Sequence, residues 1–463
     1  MEMDVALAKN VVGARYEMLP REIVETTKKS ILDTLGVMLA ASTLEPACQE
    51  MVELAKESGG VEESTIIAFG GKAPCLMAAF ANGSLTHALD YDDVHDEFGL
   101  HPTAACLPAA LALSERIGKV DGKKFITAIC MANDLTVRLG SAITQTQVEH
   151  GWMRPTVFGT FGAAAAAGKI LELNENQMVT ALSLASMQTA GTWESANATG
   201  SNLRAIRDVF LAQAGVISAL MAQKPLINGF SSYLEGRFGL YPVFFRGYYN
   251  RDRILANLGM SYGGSDISFK VWPGCRYCHN PVDATLDLVQ QYNIKPQDIK
   301  KIALNIDSST VPLCEPAEQR TKPTTLMGAR FSVPYIVAVA IVKRNVTLAD
   351  FTPEALKQPE VLKIAEKVVW RVDPEIDGTT VSATPPVVVE LQCKDGKSYS
   401  KRVDFPYGHP KKPISMDDLQ AKFRDCASYS IKPLTARDID RVIELVTNLE
   451  EVPNVSQIIR LLS

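Results

Sequence analysis

Between His87 and Pro102 the chain reads HALDYDDVHDEFGLHP, sixteen residues with three histidines, four aspartates and a glutamate. Groups of these types do one of three things: bind a metal, decorate a solvated turn, or move protons. The metal reading needs ligand spacing. His95 and His101 are six apart, and neither an HExxH pair nor paired cysteines accompany them. The proton-transfer reading rests on Pro102, a favoured first helical residue because its missing N–H has no intrahelical partner there. Pro102 makes His101 the N-cap of the helix PTAACLPAALAL. The positive end of a helix favours a neutral imidazole and attracts anions, which suits a general base working near neutrality. A carboxylate beside His101 would fix its tautomer. Asp90 closes the preceding helix and is taken for that role, with Asp92 and Asp93 following in a turn.

Other segments hold reactive side chains at helix starts. FKVWPGCRYCHNPVDA (269–284) places Lys270, Cys275, Arg276, Cys278 and His279 around a Pro-Gly turn. Its CxxC has no second CxxC to complete a zinc site, so packing cysteines beside a basic turn are the plain alternative. HGWMRPTVFGTFG offers His150 and Arg154, and GSNLRAIRD offers Arg204 and Arg207. Arg204 and Asp208 are four apart and can pair on a helix surface. Tyr335 sits in the apolar stretch FSVPYIVA, where a core tyrosine is the default. No glycine pattern matches a dinucleotide or P-loop fingerprint, so no nucleotide cofactor is expected.

These residues need a scaffold, and its first half has the period of helices. PREIVETTKKSILDTLGVMLAAS repeats apolar residues at three and four, as do APCLMAAFANGSLTHAL and CLPAALALSERIG. GTFGAAAAAGKILEL is rich in Ala and Gly, which lets helices approach closely and predicts a buried helix. Asn174 is placed to cap ENQMVTALSLASMQTAG. RAIRDVFLAQAGVISALMAQK predicts one more long helix. From about residue 266 the period changes. KKIALNID, VVWRVD and VVVELQC…SYSKRVDF are β-branched and partly alternating, and Asp395–Gly396 marks a hairpin between the last two. Helical stretches NPVDATLDLVQQY and SVPYIVAVAIV lie among them, and the helical period returns in SMDDLQAKFRDCA and TARDIDRVIELVTNL. The expected fold class is mainly α with an α+β second domain: residues 1–265 helical, 266–408 α+β, and 409–463 returning to the helical domain.

Composition narrows the function. At 463 residues the chain exceeds one ordinary core, and 46% hydrophobic with 21% charged residues is the balance of a globular enzyme. A net charge of −5 argues against a broad nucleic-acid footprint. Nine scattered cysteines outline no small disulfide framework, and a reducing compartment fits them. The N-terminus MEMDVALAKN lacks a basic region followed by an apolar one, and no stretch reaches the ~18 apolar residues of a membrane span. A cytoplasmic protein without membrane or nucleic-acid partners is expected.

NGSLTHALDYDDVHDEFGLHPTAACLPAALAL, GTFGAAAAAGKILEL, FKVWPGCRYCHNPVDATLDLV, ARFSVPYIVA and DFPYGHPKKPISMDDLQAKF, in this order over nearly the whole chain, resemble the MmgE/PrpD family. Its members include 2-methylcitrate dehydratase, cis-aconitate decarboxylase and iminodisuccinate epimerase. The resemblance implies a large all-helical domain built from both chain ends, a smaller α+β lid domain, an active site between them, a homodimer, and chemistry without metal or organic cofactor. By similarity to the decarboxylase branch, Asp90, His101, Lys270 and Tyr335 fall on pocket positions. Arg154 and Cys275 replace pocket histidines of that branch, and Arg204 replaces a lysine, which leaves the dehydratase and epimerase branches open. The expected substrate is a small di- or tricarboxylate. A C–H beside a carboxylate is a weak acid, because its removal adds charge to an anion. His101 is the expected base, with Lys270, Arg154 and Arg204 neutralising the product charge. Cys275 and His279 are expected to line the substrate site, and Tyr335 to protonate a leaving group or hold a substrate oxygen. Dehydration of a 2-methylcitrate-like hydroxy acid comes first, then epimerisation or decarboxylation. A carboxylate-binding homologue without catalysis is the reading from another class.

Overall fold

The computed structural model describes residues 2–198, 201–378 and 384–463. The chain divides into two compact units. The first comprises Met1–His95, Leu100–Ile267 and Ser415–Ser463; the second comprises Asp96–Gly99 and Ser268–Ile414. The boundaries lie at 267/268 and 414/415, a few residues beyond those expected at 265/266 and 408/409. Residues 96–99 carry an excursion of the chain into the second unit that no local pattern announces.

The first unit is helical. Its main elements are α1 (Met3–Gly13), α2 (Arg21–Leu44), α3 (Pro46–Glu57), α4 (Cys75–Thr86), α5 (Pro102–Ile117), α6 (Gly122–Ser141), α7 (Arg154–Ile170), α8 (Glu175–Ser186) and α9 (Asp208–Ala222). Two C-terminal helices, α12 (Met416–Ala427) and α13 (Ala436–Thr447), pack against α2. The Ala/Gly helix α7 lies at the centre, packed by α5, α6 and α9, and nearly every one of its residues is buried. Small side chains make that approach possible. A Cβ at Gly215 of α9 would stand 2.4 Å from the Ala163 methyl carbon on α7, so only glycine fits. Asn174 caps α8 through a full capping box with Gln177. The helix expected from RAIRDVFLAQAG begins only at Asp208. Arg204 lies in the turn before it, so Arg204 and Asp208 share no helix face and cannot form the expected i,i+4 surface pair.

The second unit is α+β. Its sheet has β1 (Ile299–Ile306), β2 (Val368–Val372), β3 (Val387–Cys393) and β4 (Ser398–Val403) in the order β2-β1-β3-β4. β1 pairs parallel with β2 and antiparallel with β3. β3 and β4 form the hairpin expected at Asp395–Gly396, with Gly396 at φ +89°. β3 buries alternate residues, Val387, Val389, Leu391 and Cys393. Helix α10 (His279–Gln291) packs on β3 and β4, and α11 (Val333–Lys343) packs on α10. Ser332 caps α11 by accepting from the Tyr335 N–H.

No single helix among the described residues is long and apolar enough to cross a membrane. All nine cysteines are buried free thiols.

Candidate active site

The acidic–histidine stretch leaves α4 at His87 and turns at Asp90, whose φ of +50° places it in the left-handed region. Beyond Leu100 the chain enters α5, with His101 as its N-cap and Pro102 in the first turn, as expected. The stretch is not a solvated turn. Asp90, Asp92, Asp93 and Asp96 are all at most 4% exposed. Burying four carboxylates within seven residues demands specific partners.

Asp92 is the centre of the group. Its Oδ2 accepts from His101 Nδ1 at 2.8 Å, and its Oδ1 accepts from His87 Nδ1 at 2.8 Å. His101 Nδ1 also lies 3.0 Å from the Asp93 carbonyl. Ionised carboxylate and carbonyl oxygens only accept, so Nδ1 carries the proton in both rings and the lone pair of each neutral imidazole lies on Nε2. Among the described residues nothing hydrogen-bonds His101 Nε2. The His101 side chain keeps 9% of its surface open, whereas His87 is closed off. The two rings meet edge to face with centroids 4.4 Å apart.

Electrostatics fit this arrangement. Burial pushes Asp92 up, but His87 and His101 outweigh it and hold the carboxyl well below the usual range. Burial, with the Arg207 cation second, pushes the His87 imidazole down to about 3. Burial raises Asp93 to about 7, although Thr103 donates to its Oδ2 at 2.5 Å. The Thr103 hydroxyl in turn accepts from Asn133 Nδ2 at 3.0 Å. Donor atoms of His87, Asp92 and His101 lie within 4.8 Å of one another, close enough for a cation. The two 2.8 Å N–O contacts are hydrogen-bond lengths, and the three groups satisfy one another without an ion.

The carboxylate on His101 is therefore Asp92, and the expected pairing with Asp90 is corrected. The left-handed turn at Asp90 sends Asp92, two residues on, toward the imidazoles. Arg154 has contacts of its own. It opens α7, is 7% exposed, donates through Nη2 to the Gln145 carbonyl, and sets Nε 3.4 Å from His150 Nε2. Burial, then Arg154, pushes His150 down to about 4. Those contacts tie Arg154 into the fold around 145–154. Arg204 is half-buried in the turn before α9. The cation that acts on His87 is Arg207. In the sequence it stands beside Arg204 at a helix start, and no local pattern gives it a role. His87 was missed as well, although five residues from His87 to Asp92 across a helix end was the available signal.

Lys270, Cys275, His279 and Tyr335 belong to the second unit. Lys270 is fully buried. The Cys275 N–H donates to the Arg330 carbonyl, and Cys275 and Cys278 sit in the apolar core. His279 starts α10 with Nδ1 3.2 Å from Arg276 Nη1. Arg276 grips Asp96 bidentately at 2.8 and 3.0 Å, and Ser268 donates to the same carboxylate. Burial opposes ionisation of Asp96, and Arg276 holds it below the usual range. The Tyr335 hydroxyl is buried and donates to the Asp350 carbonyl at 2.9 Å, against Phe351. Burial raises its pKa. That geometry is the core tyrosine, and it lends no support to a proton-donor role.

Family models for the MmgE/PrpD N-terminal domain and the MmgE/PrpD C-terminal domain match residues 5–251 and 272–449. The chain belongs to the MmgE/PrpD family. Among curated members, a cis-aconitate decarboxylase of Homo sapiens is 28% identical over 482 residues, covering 99% of this chain and 94% of that one. A cis-aconitate decarboxylase of Aspergillus terreus is 25% identical over 465 residues, covering 96% and 92%. A 2-methylcitrate dehydratase of Salmonella typhimurium is 23% identical over 436 residues, covering 86% and 84%. These MmgE/PrpD relatives are enzymes of different reaction type, so membership alone leaves the reaction open.

Proposed function

We propose that this protein is a lyase acting on a small polycarboxylate, with His101 moving the proton at a carbon beside a carboxylate. One observation carries the reading: His101 Nδ1 is held by Asp92 and the Asp93 carbonyl, while Nε2 has no partner among the described residues. A ring fixed in this tautomer presents its lone pair outward, and Asp92 stabilises the imidazolium formed when Nε2 takes a proton. In a dehydration the C–H proton goes to Nε2, its electron pair becomes the new C=C bond, and the C–O bond breaks with its pair on oxygen; the departing hydroxyl takes the proton back from Nε2–H and leaves as water. Dehydration of a 2-methylcitrate-like acid comes first. Arg154 and Cys275 stand where the resemblance puts pocket histidines in the decarboxylase branch, and a 2-methylcitrate dehydratase is among the relatives.

Decarboxylation is the second reading, favoured by cis-aconitate decarboxylases matching 96–99% of the chain. There a C–C bond breaks to release CO₂ and the carbon takes up a proton, so His101 must start protonated. The deciding experiment incubates citrate, 2-methylcitrate, cis-aconitate and iminodisuccinate with the protein. New ultraviolet absorbance from a C=C bond supports dehydration, and CO₂ release supports decarboxylation. Deuterium uptake from heavy water without either marks epimerisation. Binding by melting shift with no turnover of any acid would refute the enzyme reading.

A further inference from the structure

We propose that Arg207 is a carboxylate anchor, binding one acid group of the substrate beside the His87–Asp92–His101 group; the inference rests on the polycarboxylate reading above. Arg207 precedes α9 and is 7% exposed. A guanidinium carries five N–H donors, and buried ones are expected to be paired. Here Nε and Nη2 are buried and have no hydrogen-bond partner among the described residues. Nη1 reaches only the Met153 sulfur, at 3.7 Å. The adjacent Asp208 carboxylate stands 3.4 Å from Nε, within ion-pair range, yet neither atom completes a hydrogen bond. Burial raises the Asp208 carboxyl, and Arg207 opposes that rise.

The location is set by packing. A Cβ at Gly83, in the last turn of α4, would come within 2.7 Å of the Asp208 carbonyl. Glycine there lets the start of α9 close against the helix end that delivers His87. The cation is near enough to act on the His87 ring, and Asp208 feels both Asp92 and His101. The result is a buried, under-satisfied planar fork beside a base with an open Nε2. A carboxylate supplies the two parallel acceptors such a fork takes. Held there, an acid presents its neighbouring C–H to the same region as His101, and the guanidinium neutralises charge that develops on that acid when the proton leaves.

The test is calorimetric titration with tricarballylate, citrate and succinate, none of which needs to react, against wild type, R207Q, R207K and H101N. R207Q is expected to weaken binding about ten- to a hundredfold, the range for hydrogen bonds to a charged group. R207K should recover part of it, because charge returns without the fork. H101N should bind within about threefold of wild type while losing turnover. If wild type binds, R207Q does not, and no acid turns over, the anchor stands and the lyase reading falls. Unchanged affinity in R207Q overturns the anchor whether or not the protein turns over substrate. So does failure of wild type to bind any of the three acids. Collapse of the fold in both R207Q and R207K assigns Arg207 to structure and overturns it too.

Discussion

The His87 ring makes a sharp prediction about stability. An unperturbed imidazole titrates at 6.5, and in the folded protein His87 does so at about 3, chiefly through burial. Below 6.5 the unfolded chain therefore binds a proton that the folded chain refuses. Stability tied to His87 is fully present above 6.5 and is lost as pH falls toward 3. Between about pH 7.5 and about pH 4.5 the loss integrates to about 2.5 kcal/mol. Asp93 runs the other way. Its folded value near 7 lies above the ordinary 3.8, so the folded state gains protons, and stability, over the same interval. Asp92 lies below 3.8 and contributes only at lower pH. A wild-type curve mixes these effects, but H87N isolates one of them. The Asn amide N–H can replace Nδ1–H toward Asp92 Oδ1 and cannot be protonated, while Asp93 stays the same in both proteins. Denaturant unfolding followed by circular dichroism at the two pH values should show the wild-type advantage over H87N shrinking by about 2.5 kcal/mol on acidification. A difference that stays constant to within about 0.5 kcal/mol would refute the claim that His87 is held neutral by burial.

D92N should cost about a hundredfold or more in kcat, by releasing the His101 tautomer, and D90N should cost less; the reverse order would restore Asp90 as the partner. R154A should lower stability by about 0.5–1.5 kcal/mol in denaturant unfolding, by removing the donor to the half-buried Gln145 carbonyl, with KM within about threefold. A large rise in KM with no loss of stability would return Arg154 to substrate binding. Y335F should keep kcat within about threefold and lose about 1–3 kcal/mol, because its hydroxyl serves the Asp350 carbonyl. Exhaustive chelation should leave turnover unchanged, and restoration of a lost activity by zinc would assign the His87–Asp92–His101 group to a metal.

Much of the scaffold was legible because its signals are local. Period-2 alternation and Asp395–Gly396 specify the β3–β4 hairpin, and Asn174 with Gln177 specifies the start of α8. Pro102 specifies His101 as an N-cap. What escaped depends on tertiary contact. Asp96 pairs with Arg276, 180 residues away, and no pattern near either announces it. Asp90 and Asp92 read alike in sequence, and only the left-handed turn between α4 and α5 decides which one meets His101. The arginines before α9 were legible as a helix start. Their division into half-buried Arg204 and buried Arg207 turns on where the helix begins, the least certain boundary in any periodic pattern.

The four aspartates of the opening stretch show why composition alone could not choose among its readings. Three of the four, within five positions, meet different electrostatic fates. Asp92 is ionised by two imidazoles and Asp96 by a bidentate arginine, while Asp93 is driven toward its neutral form by burial. A solvated turn would leave all of them near their ordinary value, because water screens and hydrates each alike. A purely structural cluster gains little from burying them, since the cost of desolvation offsets most of the Coulombic return. Divergent ionisation within one short segment is the arrangement acid–base chemistry requires: one group to stay charged, another to stay neutral, and a histidine between them with one nitrogen fixed and the other open.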